Sequence, residues 1–125
     1  MGIMYMNKAW LDKAGKSIPT TTEEFLDVLR AFRDGDMNGN GDAADEIPFE
    51  PSQSDWCSQI MNAANPWGIA GTEASDASAY KMVRDGKVVG TINTPEFRSF
   101  LEFSHQMIEE GPPDMESLSQ TSEQY

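Results

Sequence analysis

Asp36, Asn38 and Asn40 put side-chain oxygens at alternate positions of one short run, and Gly41 stands sixth in it. That spacing lets a single loop curl around a hard cation, because alternate side chains converge where the backbone bends. Calcium takes about six to eight oxygens, and the pattern D-x-[DN]-x-[DN]-G opens an EF-hand loop by supplying the first three ligands. Gly41 falls where the loop must turn sharply, a backbone position that glycine adopts cheaply. Asp42, at position seven, offers its backbone carbonyl. An EF-hand places glutamate at position twelve, but Ile47 stands there, and the acids come earlier at Asp45 and Glu46. The stretch 36–46 therefore reads as a calcium loop that closes sooner than an EF-hand. Its expected ligands are Asp36, Asn38, Asn40, Asp42, Asp45 and Glu46. The competing reading is a solvated acidic turn, since Asn-Gly and Gly-Asp pairs form turns anyway.

Catalytic chemistry finds no comparable pattern. His105 is the one histidine and lies beside Ser104 in a helical stretch, outside any nucleophile motif. Cys57, beside Trp56, reads as a small buried hydrophobe. Glu109 and Glu110 read as a solvated helix end. There is no G-x-G-x-x-G run, no Walker loop and no Cys/His zinc spacing. The expectation is that the chain is not an enzyme. Tryptophan invites one further thought, because indole stacks on the apolar faces of sugar rings. Trp10 reads as core. Trp56 and Trp67 flank a helix that follows the polar loop 51–55, although core packing is the favoured reading for both.

Composition bounds the rest. The chain has 125 residues, 38% of them hydrophobic, and a net charge of −12, enough for one modest core. Such an acidic surface excludes nucleic-acid binding through phosphate neutralisation, which needs clustered Lys and Arg. No run approaches the roughly 20 apolar residues of a membrane span. The start lacks the charged-then-apolar pattern of a signal peptide. A single cysteine forms no internal disulfide.

The elements that must position the loop follow from periodicity. Residues 3–6 read as a short strand. Asn7 caps a helix through Ala14, with Trp10, Leu11 and Ala14 on one side and Gly15 as its stop. Thr21 and Glu24 form a capping box for a second helix ending near Arg33, with Phe25, Val28, Leu29 and Phe32 as its buried stripe. Asp34-Gly35 ends it, and the acidic loop follows. A third helix is expected from residue 52 or 54 to about 64, broken by Asn65-Pro66. Two β-prone runs, 80–84 and 87–92, flank Asp85-Gly86 as a hairpin. Thr94-Pro95-Glu96 opens a last helix, with Phe97, Phe100, Leu101, Met107 and Ile108 facing its core. It stops at Glu110-Gly111 before two prolines.

Taken in order, these segments resemble a known family. The run 4–15 followed by 18–25 looks like the crossover strand and next helix of extracellular solute-binding proteins of bacterial ABC importers. The likeness is to family 1, the carbohydrate binders, and especially its lipoprotein branch. Asp36-x-Asn38-Gly39-Asn40-Gly41 with Asp45-Glu46-Ile47-Pro48 resembles the calcium loop some members carry, with one extra residue at Ala43-Ala44. Residues 80–89 resemble the family's hairpin. Residues 94–111 and 113–117 resemble its last helix and "EGL-x-DPES" stretch, with Pro112-Pro113 as a departure. The resemblance implies a helix-rich α/β fold with a β-hairpin. Residues 1–125 would be part of one lobe of a two-lobed periplasmic-binding-protein-like (type II) fold, starting at the hinge strand. It further implies a structural calcium ion, a carbohydrate ligand in the full-length protein and delivery to ABC permease subunits in the membrane. The expected location is the extracellular face of the membrane or the periplasm, lipid-anchored through a segment absent here. By position, Gln53, Ser54 and Trp56 would face the ligand. Two alternatives stand beside this reading: a free-standing calcium-binding interaction module, and an accessory module of a secreted carbohydrate-active enzyme.

Overall fold

The structure is a computed structural model that describes residues 5–49, 63–69 and 80–110. Helix α1 spans Lys8–Ala14. Asn7 caps it with extended backbone, its Oδ1 accepting from the N–H groups of Ala9 at 3.0 Å and Trp10 at 3.3 Å. Gly15 ends it at φ 66°, and the N–H groups of Gly15 and Lys16 return to the carbonyls of Asp12 and Leu11. This closure satisfies carbonyls that the last turn would otherwise orphan. The opening strand is not found at residues 5 and 6, which belong to no strand, while Ile3 and Met4 lie outside the described residues. A strand exists only as part of a ladder. The only ladder among the described residues is the hairpin.

Helix α2 spans Thr22–Asp34. Thr21 Oγ1 accepts from Glu24 N–H at 3.1 Å, as a capping box requires. The return bond shifts by one residue: Glu24 Oε2 accepts from the backbone N–H and hydroxyl of Thr20. The buried residues are Leu26, Val28, Leu29 and Phe32, with Phe25 only half-buried. Leu26 joins because α2 is packed on two sides. Val28 and Phe32 meet Leu11 of α1, and the Trp10 ring stands edge-on to Phe32 at 5.4 Å and 89°. Leu26 and Leu29 meet Met107 instead.

Met107 belongs to α3, Pro95–Glu110. Thr94 caps it, its hydroxyl accepting from Phe97 N–H at 3.2 Å and donating to the Thr91 carbonyl at 2.7 Å. Its buried line is Phe100, Ser104 and Met107. Leu101, expected in the core, is 50% exposed. The inward line runs through positions 100, 104 and 107, so Leu101 is turned aside. Ser104 takes the inner place because its hydroxyl bonds the Phe100 carbonyl at 2.9 Å and leaves nothing unsatisfied.

Phe100 packs with Ala64 and Ile69, and half-buried Trp67 leans on the same cluster. Asn65–Trp67 forms one 3-10 turn with Pro66 near its start, followed by Gly68 in the left-handed region. The body of the expected third helix lies outside the described residues; Ala63 and Ala64 form a turn. Strands β1, Lys81–Arg84, and β2, Lys87–Gly90, pair antiparallel with Val83 opposite Val88. Asp85 and Gly86 both have positive φ, 53° and 74°, as a type I′ turn demands. No helix among the described residues is long and apolar enough to cross a membrane.

Candidate metal centre

The loop starts where α2 stops. Gly35 leaves the helix in an extended conformation. A Cβ there would meet the Met37 methyl and come within 3.1 Å of the Ala31 carbonyl, so the chain passes close to both at Gly35. Met37 packs against the Leu11, Val28 and Phe32 cluster. At the far end, Phe49 packs against Leu26, Leu29 and Met107. The loop is thus pinned at its entry to the α1–α2 core and beyond its exit to the α2–α3 core.

Between these pins the side chains organise their own backbone. Asp36 Oδ1 accepts from the N–H groups of Gly39 at 2.6 Å and Asn40 at 3.1 Å, and Oδ2 accepts from Gly41 N–H at 3.1 Å. Asn38 Oδ1 accepts from Asn40 N–H, and Asn40 Oδ1 from Asp42 N–H. Asp42 Oδ1 caps the short 3-10 turn Ala43–Asp45 through Ala44 N–H at 2.9 Å. Glu46, buried, reaches back to accept from Asn38 N–H at 2.7 Å. The amide groups of Asn38 and Asn40 both donate to the Asp45 carboxylate. Gly39 and Gly41 hold φ values of 84° and 93°, so the tight winding uses two left-handed glycines rather than one.

Burial alone would push the Asp36 carboxyl up. The N–H groups of Gly39 and Gly41, the Lys13 ammonium and the N–H of Asn40 outweigh it and hold the group below the usual aspartate range. Lys13, on α1, is the residue the sequence reading missed. Its Nζ donates to the Met37 carbonyl at 3.4 Å, from 24 positions away in the chain. No local pattern signals such a contact.

The structure therefore joins Asp36, Asn38, Asn40, Asp45 and Glu46 in one hydrogen-bonded loop. Asp42's side chain is committed to the cap of the 3-10 turn. Among the described residues no three acidic, histidine or cysteine side chains cluster closely enough to form a ready metal cage. The donor set still suits calcium, being oxygen throughout, with neither imidazole nor thiolate. Asn38 and Asn40 would have to turn their amide oxygens toward the Asp45 side to serve as ligands.

The remaining candidates separate cleanly. Gln53, Ser54, Trp56 and Cys57 lie outside the described residues. Trp67 spends its face on Phe100 and Phe103, at ring distances of 5.6 and 5.0 Å, in keeping with the core reading. A cavity of about 370 Å³ opens beside it between α2 and α3, reached by Arg30 and Gln106. His105 is exposed, with its Nδ1 3.4 Å from the Glu109 carboxylate. Glu110 is no solvated helix end: Arg30 donates to its carboxylate and Arg33 to its carbonyl.

No family model matches the chain. The fructooligosaccharide ABC transporter substrate-binding protein FusA of Streptococcus pneumoniae is 35% identical over 115 residues, 91% of this chain and 20% of FusA. Lipoprotein LipO of Bacillus subtilis is 27% identical over 108 residues, 86% of this chain and 20% of LipO. An extracellular solute-binding protein from Bifidobacterium longum subsp. infantis superposes with a TM-score of 0.77 at 34% identity, covering 95% of this chain and 24% of that one. FusA has been solved in complex with kestose, where the TM-score is 0.72 at 34% identity over 95% of this chain and 23% of that one. An EF-hand mutant of FusA has been solved with fructo-nystose, at a TM-score of 0.68 and 31% identity, again over 95% and 23%. The chain spans about a fifth of the length of the curated relatives it matches. FusA is a substrate-binding protein and the Bifidobacterium protein a solute-binding protein, in line with the reading of the chain as a binding protein. By sequence and by fold together, the chain is homologous to one segment of the solute-binding proteins of ABC transporters.

Proposed function

We propose that the chain is a calcium-stabilised part of one lobe of an extracellular solute-binding protein, which captures a sugar or oligosaccharide and hands it to an ABC permease. The observation that carries this reading is collinear likeness to sugar-binding relatives over nearly the whole chain, the acidic loop included. The existence of an EF-hand mutant of FusA supports a cation site in such proteins. Asp36, Asn38, Asn40, Asp45 and Glu46 would hold calcium through side-chain oxygens, and Asp42 through its carbonyl. The ion would supply positive charge to a loop that otherwise concentrates carboxylates.

The chain's own part is mechanical. Met37 and Phe49 fasten the loop to two separate core clusters, so fixing the loop fixes α1 and α3 relative to α2. Ligand capture in a two-lobed protein depends on lobes that close as rigid bodies. Gln53, Ser54 and Trp56 are proposed to face the ligand, by hydrogen bonding and by stacking on a sugar ring. The protein would work at the outer face of the membrane or in the periplasm, held there by a lipid anchor. Calorimetry on the whole protein with a panel of fructo-oligosaccharides tests the reading. Binding that weakens at least tenfold in Trp56→Ala supports it. No binding of any oligosaccharide would overturn it.

A further inference from the structure

The lysines on and just beyond α1 are not used alike. Lys8 pairs with Asp12 at 2.7 Å and Lys16 with Asp27 at 2.6 Å. Lys13 has no carboxylate partner among the described residues and turns instead to the metal loop. Its ammonium donates to the carbonyl at the loop's second position, Met37. A Cβ on Gly39, the fourth position, would lie 3.7 Å from the same nitrogen. The helix brings it there because Leu11 of α1 and Met37 of the loop share one core cluster. One positive charge is thus held against a backbone wound around Asp36, Asp45 and Glu46.

We propose that Lys13 is an internal counter-cation of this loop, working against the divalent cation for the same field of carboxylates. The proposal rests on the calcium reading above. Without calcium, the ammonium offsets repulsion among the acids and draws α1 onto the loop. When a divalent ion enters, the two like charges oppose each other, and Lys13 makes the site weaker than its oxygen set alone would. Lys13 would therefore set the calcium concentration at which the loop fills.

Calcium titration by calorimetry separates the possibilities, using the full chain as wild type, Lys13→Gln, Lys13→Arg and Lys8→Gln. Lys13→Gln is expected to bind calcium roughly three- to fivefold tighter at low salt, the size of one exposed charge interaction. The gain should vanish near 1 M salt, where the Debye length is about 3 Å. Lys13→Arg should match wild type. Lys8→Gln makes the same change in net charge and should also match it. In chelator, Lys13→Gln should melt lower than wild type. Equal affinity for Lys13→Gln and wild type overturns the Lys13 proposal alone, and so does an equal gain in Lys8→Gln. Absence of calcium uptake by wild type overturns the calcium reading and this proposal with it.

Discussion

Arg30 donates from Nε to Glu110 Oε2 at 2.6 Å, tying the second half of α2 to the last residue of α3 across 80 positions of chain. Gln106 donates to the other carboxylate oxygen at 2.9 Å. Arg33 adds a bond to the Glu110 carbonyl, so both ends of that residue are held. The side-chain bonds from Gln106 and Arg30 keep the Glu110 carboxyl below the usual glutamate range.

A pH dependence follows from this clasp. A carboxyl with a depressed folded value stabilises the fold above its unfolded pKa, about 4.3 for glutamate, and loses that contribution as pH falls through the folded value. Glu110→Gln should therefore melt a few degrees below wild type at neutral pH. Near pH 3 the difference should narrow. Urea unfolding at both pH values checks this, and an equal gap at both would show that the ionised carboxylate contributes nothing.

The core makes a sharper demand. Phe100 is fully buried, with its ring against Trp67 and Phe97. Phe100→Ala should cost about 3–5 kcal/mol, the usual range for a large buried aromatic. Leu101→Ala, one residue on and half exposed, should cost well under half as much. Chemical denaturation of the two variants decides whether α3 faces inward as described.

Those two positions also show what the sequence could carry. Caps and turns were legible because their partners lie within a few residues: Asn7 with Ala9, Thr21 with Glu24, Thr94 with Phe97, Asp85 with Gly86. The stripe of α3 was misplaced at Leu101, since periodicity gives a helix face but not its rotation against a particular neighbour. Leu26 was missed for the same reason, as its burial depends on α3 arriving on a second side of α2. The expected strand at residues 5 and 6 failed because a strand is a property of a pair. In the loop, the oxygen-bearing side chains and the left-handed turn at Gly41 were readable from spacing. Lys13 and the Arg30–Glu110 clasp were not, being contacts that only the folded chain creates.

Backbone winding in the loop can be tested apart from its acids. Gly41 holds φ at 93°, and a Cβ there would touch nothing within 4 Å. Any cost of Gly41→Ala therefore comes from the left-handed conformation itself, about 1–2 kcal/mol. Gly41→Ala should lose that much stability in chelator, measured by urea unfolding, and should bind calcium more weakly. A neutral or stabilising effect would mean the loop does not need this turn.

The central claim is that residues 36–46 form a structural calcium loop, and thermal melting in calcium against chelator tests it most directly. A metal that binds only the folded state stabilises it by RT ln(1 + [L]/Kd), about 2.7 kcal/mol at a hundredfold excess over Kd. Calcium should raise the melting temperature of the wild-type chain by several degrees over chelator. Asp36→Ala should melt at one temperature in both. Superimposable wild-type curves in calcium and chelator would contradict the account and leave the stretch a hydrogen-bonded acidic turn.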